Sequence, residues 1–192
     1  MFDPILFLAI MVCVTIVVVK SERNFAKQQH EIWSNFAKDM GAQYDALESA
    51  RARESVTWTI ADGKIRLRSW RVHPFWITEI SAPYSGSVDF TIRRCDVINN
   101  VNAFQEYYRP IYTGISTLDQ NFVMSCSDQA AMHRYLRSGA IANVIISSVT
   151  DKLTASTERH LISHTEARYI NDPARMRTLY DLMRMMMEHH PE

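Results

Sequence analysis

The chain reads as an α+β protein: an N-terminal transmembrane helix continuing into a juxtamembrane helix, then an antiparallel sheet packed with helices. Three observations predict this. Residues 5–19 (ILFLAIMVCVTIVVV) carry no charge and one hydroxyl, Thr15, the composition of a helix in hydrocarbon. Residues 55–93 hold runs that alternate apolar and polar side chains, broken by turn residues, as half-buried strands do. The last third ends in a run of helical spacing behind an Asp-Pro start signal. The expected organisation is a transmembrane anchor over 1–20, a juxtamembrane helix over 21–41 and an α+β domain over 42–192.

The anchor starts at Asp3-Pro4. An Asp carboxylate accepts from orphan amides, and proline fits the first helical turn. From Pro4 to Val19 the rise is about 24 Å at about 1.5 Å per residue, short of a hydrocarbon core of about 30 Å. Phe2 extends the apolar run, and Lys20 snorkels at the other end. Pro4, Ile5, Leu8, Val12, Val19 and Lys20 are the anchor positions. A cleavable signal peptide would need positive charge before the run and a small-residue site after it, and an N-terminal run apolar on every face argues against a buried helix of a soluble protein. Lys20, Arg23 and Lys27 follow the run and none precedes it, which predicts an N-terminus outside and a soluble domain on the cytoplasmic side of a bacterial inner membrane. Cys13, Cys95 and Cys126 have no paired spacing, which fits a reducing compartment.

Lys plus Arg and Asp plus Glu each number 21, so no basic field exists to attract nucleic acid. Residues 21–40 predict a helix with Phe25, Ile32, Trp33, Phe36 and Met40 on one stripe, stopped by Gly41. Two strands over 55–61 and 64–72 flank Asp62-Gly63, a hairpin signal. In the second, Ile65, Leu67, Ser69 and Arg71 share one face and Arg66, Arg68, Trp70 and Val72 the other. Strands over 75–81 and 88–93, joined by turn residues 82–86, complete a four-stranded antiparallel sheet, with 42–47 as an added edge.

Further on, residues 100–108 predict a short helix, 113–119 a loop, and 121–126 a strand. Asp128 caps a helix over 129–138 that Gly139 ends. Residues 140–153 are an apolar helix, with strand left open by the β-branched run Val144-Ile145-Ile146. A late strand covers 159–170. Asp172-Pro173 opens a final helix to about His189, with Met176, Leu179, Tyr180, Met183, Met186 and Met187 as its stripe.

Residues 113–128 (TGISTLDQNFVMSCSD) resemble a segment, T-G-x-x-x-x-D-x-x-F-x-V-x-x-x-D, of a loose group of uncharacterised bacterial single-pass membrane-anchored α+β proteins. Here the valine stands one place early. The resemblance covers roughly residues 40–190 and implies a fold more than an activity.

No reactive centre emerges. His160 and His164 would share a strand face about 13 Å apart with no third ligand near, and read as exposed polar residues. His30-Glu31 lacks the second histidine of a zinc-protease helix. His189-His190 reads as a frayed helix end, and Cys95 as a buried structural thiol. Ser85-Gly86-Ser87 is a turn, not a nucleophile elbow. No catalytic residue, metal or cofactor is expected. Cys13 and Thr15 are candidate contacts within the span. Arg66, Arg68, Trp70, Phe75 and Trp76 have the Trp/Arg character of protein interfaces. The expected function is a non-catalytic accessory subunit of a multi-subunit bacterial membrane complex, of photosynthetic or respiratory type, whose partners are integral membrane subunits and the lipid bilayer. The alternative is a membrane-tethered ligand-binding or signalling domain.

Overall fold

Between Pro4 and Gly41 the sequence has no glycine and no further proline, and this stretch forms one unbroken helix, α1 (Pro4–Asp39). At about 1.5 Å per residue it is about 54 Å long. The structure, a computed structural model, describes residues 4–46, 54–72, 74–95, 110–137 and 139–191, with the backbone alone at 4–10, 22, 23 and 26. Gly41 closes α1 at φ +61°, where the Ala42 amide reaches the Ala37 carbonyl at 2.8 Å.

The strands are β1 (Gln43–Asp45), β2 (Glu54–Ile60), β3 (Gly63–Val72), β4 (Phe75–Pro83), β5 (Phe90–Arg94), β6 (Pro110–Ile111), β7 (Phe122–Cys126), β8 (Lys152–Ser156) and β9 (Leu161–Glu166). The helices after α1 are α2 (Ser116–Asn121), α3 (Gln129–Leu136), α4 (Ala140–Ser148) and α5 (Pro173–Glu188). The described strands form one nine-stranded sheet in the order β1-β2-β3-β4-β9-β8-β5-β7-β6, antiparallel at every described pairing.

The first four strands meander as expected. The expected pairing of residues 75–81 with 88–93 does not occur, because the β8–β9 hairpin lies between them. Neighbouring strands stand about 4.8 Å apart, so the chain must cross about 14 Å between β4 and β5, too far for a tight turn. Tyr84 carries that crossing. Its ring is buried, its hydroxyl donates to the Val88 carbonyl at 2.6 Å, and its amide donates to the His160 carbonyl at 3.1 Å. Gly86 lies on the ring: a Cβ there would fall 2.4 Å from the Tyr84 Oη. Only glycine fits that approach.

Period-two alternation makes one sheet face apolar. Val56, Leu67, Ile80, His164, Leu153, Ile92 and Met124 stand in register across seven strands, and all are buried. Helices cover this face. Trp33, Phe36 and Ala37 of α1 are buried, as are Met176, Leu179, Leu182, Met183 and Met186 of α5. Ile32 and Met40 are partly buried, whereas Phe25 is exposed.

Several boundaries differ from the sequence reading. Residues 116–119, expected as loop, and Asn121, expected to open the strand, lie in a helix. Residues 140–153 divide into α4, with Ile141, Ala142, Ile145 and Ser148 buried, and the start of β8. Packing of that face against α5 overrides the strand preference of Val144-Ile145-Ile146. The late strand is only β9, since His160 turns at φ 49°. Residues 189–191 are not frayed: the His189 carbonyl accepts from the Tyr135 hydroxyl at 2.8 Å, and the Pro191 carbonyl accepts from the Ser87 amide at 3.2 Å. The expected helix over 100–108 and Leu47 and Ser138, at the ends of two expected elements, lie outside the described residues.

Candidate functional site

The outer half of α1 leaves the domain bare. Met11, Val12, Val14, Ile16, Val17, Val18 and Val19 are each 42–66% exposed, although all are apolar, and a contiguous apolar surface of this kind marks contact with lipid or another protein. Among the described residues, no helix is long and apolar enough to cross a membrane; Pro4, Ile5 and Leu8 lie in the part of α1 known by its backbone alone. Thr15 Oγ1 donates to the Met11 carbonyl at 2.8 Å, so its hydroxyl is satisfied within the helix. Cys13 and Lys20 are exposed.

The inner half of α1 is fixed to the domain. Trp33 is fully buried, and its Nε1 donates to the Ile170 carbonyl at 2.9 Å. Phe36 meets Trp58 edge-on at 5.9 Å. Tyr169 gathers three rings: Trp33 at 5.8 Å, Trp76 at 5.1 Å and Phe25 at 6.3 Å. Such contacts add to simple area burial.

Beneath these rings a polar row crosses the inner face. Glu54, Ser69, Thr78 and Glu166 stand in register on β2, β3, β4 and β9. Glu54 Oε2 accepts from the Tyr169 hydroxyl at 2.8 Å, and His30 Nδ1 pairs with the Tyr44 hydroxyl at 2.8 Å. Burial raises the Glu54 carboxyl, only partly offset by the hydrogen bond from Tyr169. Burial and the Glu54 charge push the Tyr44 and Tyr169 hydroxyls well up. Thr78 Oγ1 donates to the Arg168 carbonyl at 2.7 Å.

At the other end of the row, Glu166 is 2% exposed. Its Oε1 accepts from Arg175 Nη2 at 2.5 Å and Nε at 2.9 Å, and its Oε2 from Arg168 Nε at 2.6 Å. Arg175 also donates to the Ser148 carbonyl at 2.6 Å and to Thr150 Oγ1 at 3.0 Å. Burial alone would raise the Glu166 carboxyl, but the His164 hydrogen bond and the Arg175 and Arg168 guanidinium groups hold it far below the carboxylate range. The cluster ties β9, the turn after α4, the loop after β9 and the start of α5 together. His164, expected on the surface, is fully buried with Nε2 at 3.3 Å from Glu166 Oε1. Cys95, expected inside, is exposed, and Cys126 is the buried thiol.

The expected Trp/Arg patch divides between two faces. Arg66, Arg68 and Trp70 lie on the face of β3 opposite the core, with Phe75 of β4 registered beside Val72. Arg68 stacks over Trp70 at 5.1 Å and pairs with Glu79 at 2.6 Å, which occupies its charge. Trp76 stands on the inner face against Tyr169. A residue shift of one between Phe75 and Trp76 flips the side chain across the sheet. The outer face bears threonines and serines. A cleft of about 500 Å³ there is lined by Thr91, Ser125, Lys152, Thr154, Glu158 and Arg159, among others.

Residues 113–128 have a structural explanation. Asp119 accepts from the Thr113 amide and hydroxyl, each at 2.8 Å, and from the Gly114 amide at 3.0 Å. These bonds hold the Asp119 carboxyl low despite its burial. Phe122 is buried, and Asp128 accepts from the Ala131 amide at 3.0 Å as the α3 cap. Among the described residues no group of three or more His, Cys, Asp or Glu side chains could hold a metal. The sequence reading missed the Glu166 cluster. Its available signal was a glutamate at an apolar-phase position of β9, followed by arginines.

The chain matches no family model, and no curated protein matches it. Its fold is similar to a solved structure described as "crystal structure of the mycobacterial trehalose monomycolate transport factor A, TtfA": the TM-score is 0.51 at 10% identity, covering 85% of this chain and 97% of that one. At that identity the likeness concerns the fold alone.

Proposed function

We propose that this chain is a membrane-anchored, non-catalytic accessory subunit of a bacterial membrane complex. Residues 4–20 cross the bilayer, and the α+β domain stands on the cytoplasmic side, where Lys20, Arg23 and Lys27 are retained. The observation that carries this reading is the contrast within α1. One continuous helix is bare and apolar over residues 11–19 yet buried at Trp33, Phe36 and Ala37. A helix fixed this way transmits the position of the membrane rigidly to the domain. The partners are integral membrane subunits, reached through the span and through the outer sheet face at Arg66, Arg68 and Trp70.

The full chain, tagged at its C-terminus, is expected to stay with membranes through an alkaline carbonate wash and to co-purify with integral membrane proteins. Release by carbonate overturns the anchor, and a lone monomer in mild detergent overturns the accessory role. The outer-face cleft of about 500 Å³, with Lys152, Glu158 and Arg159 in its lining, favours a second reading: a tethered domain that binds a polar solute. A thermal shift of the full chain by a small charged solute, lost in Thr154→Trp, would distinguish it.

A further inference from the structure

We propose that the β3–β4 turn is a second membrane contact, which seats Phe75 in the lipid headgroup layer beside the anchor. The inference rests on the reading of α1 as a membrane span. Phe75 is 67% exposed and Val72 51%, and Pro74 between them is exposed as well. These apolar side chains, with His73 among them in the sequence, stand at the turn of the longest hairpin of the described sheet.

Register fixes which way the tip points. Glu54 lies under Tyr169, which meets Phe25 and Trp33 of α1, whereas Trp58 lies under Phe36. β2 therefore runs alongside α1 in the same direction, and antiparallel β3 runs back toward the apolar half of the helix. Ser69 pairs with Glu54 and with Thr78, and the Val72–Phe75 pair stands three residues beyond. Three strand residues cover about 10 Å, the rise of about seven residues of α1. Starting from the His30–Trp33 level, the tip reaches the level of residues 23–26. Lys20, at the edge of the apolar run, lies about 5–9 Å further on. Each interfacial layer of a bilayer is about 5–8 Å thick, so the tip reaches its outer part.

The side chains suit that depth. Trp76 and Tyr169 stack edge-on behind the tip, and exposed Phe25 closes the row toward the helix. Aromatic rings collect at this boundary. Arg71, registered with Trp76, is exposed and placed to reach lipid phosphates, as is exposed Lys27. A tip contact and a span together fix the rotation of the domain about the helix axis, which a span alone leaves free.

The test uses the full chain in phosphatidylcholine–phosphatidylglycerol vesicles, with nitroxide labels on single introduced cysteines in a Cys13→Ala, Cys95→Ser background in which the remaining Cys126 is buried. Labels are placed by Phe75→Cys, by Asp62→Cys at the opposite turn of β3, and by Val17→Cys in the span. We expect the ratio of oxygen to nickel-chelate accessibility to be several-fold higher at 75 than at 62, and highest at 17. Equal, water-like ratios at 75 and 62 with a lipid ratio at 17 overturn the tip contact and leave the span intact. A water-like ratio at 17 overturns the span and this proposal with it. A label at 75 shielded from both reagents assigns the tip to a protein partner or a second copy, and also overturns it.

Discussion

Glu166 shows how a single buried charge organises this domain. Its carboxylate is shared by Arg175 and Arg168 and lies against His164. Glu166→Gln leaves Arg175 buried without its counter-charge, and removing one partner of such a pair costs about 3–5 kcal/mol. Chemical denaturation at pH 7 measures this. Because the folded carboxyl is held far below its unfolded value, near 4.3, its contribution is present above that pH. It is lost as pH falls through 4 toward the folded value. The difference between wild type and Glu166→Gln is therefore expected to shrink below pH 4. A constant difference from pH 7 to pH 3 would show that the charge is irrelevant. Glu54 works in the opposite sense. Its carboxyl is raised, mainly by burial, so it opposes folding as pH rises above about 4.3. Glu54→Gln keeps an acceptor for Tyr169 and is expected to flatten that loss. Asp119→Ala removes three hydrogen bonds from the 113–114 turn and is expected to cost about 1–2 kcal/mol in denaturant titration.

At the scale of the element, α1 is one helix whose halves differ: residues 11–19 are apolar and exposed, whereas Trp33, Phe36 and Ala37 are buried in the domain. Trp33→Ala opens a cavity where the indole met Tyr169 and Ile170. A loss of about 3–5 kcal/mol is expected, together with faster amide exchange in residues 25–40. A chain in which Trp33→Ala left that exchange unchanged would show that α1 is not held by this residue. Val17→Arg places a charge at the middle of the bare half. It is expected to leave the denaturation midpoint of the α+β domain unchanged while moving the chain from the carbonate-resistant pellet to the supernatant. Retention in the pellet would mean that residues 11–19 do not carry the anchoring.

For the whole molecule, much of the plan could be read from the sequence. The Asp62-Gly63 hairpin, the faces of β3, the Asp128 cap, the Asp172 cap and the docking stripe through Trp33 and Phe36 are local signals. Each depends on residues within a turn or a strand length. The pairing of β8 and β9 between β4 and β5 was not legible, because it joins residues 59 to 88 positions apart and local periodicity carries no partner information. His164 looked like a surface residue for the same reason: its neighbours in sequence are polar, while its neighbours in space are Ile80 and Leu153. The candidate Trp/Arg surface was legible as composition, but its faces were not: Arg66, Arg68, Trp70 and Phe75 share the outer face, and Trp76 falls on the inner one.

By itself the sequence determined the apolar run over 5–19, the charge step at Lys20, the helical continuity into the domain and the α+β class, because hydropathy and periodicity are properties of adjacent residues. Only the tertiary structure decided the order of the sheet, the burial of Glu166 with its arginines, and the direction of the β3–β4 tip relative to the helix. These depend on register between distant strands, where a two-residue pitch and the packing of α1 and α5 on one face leave a single arrangement.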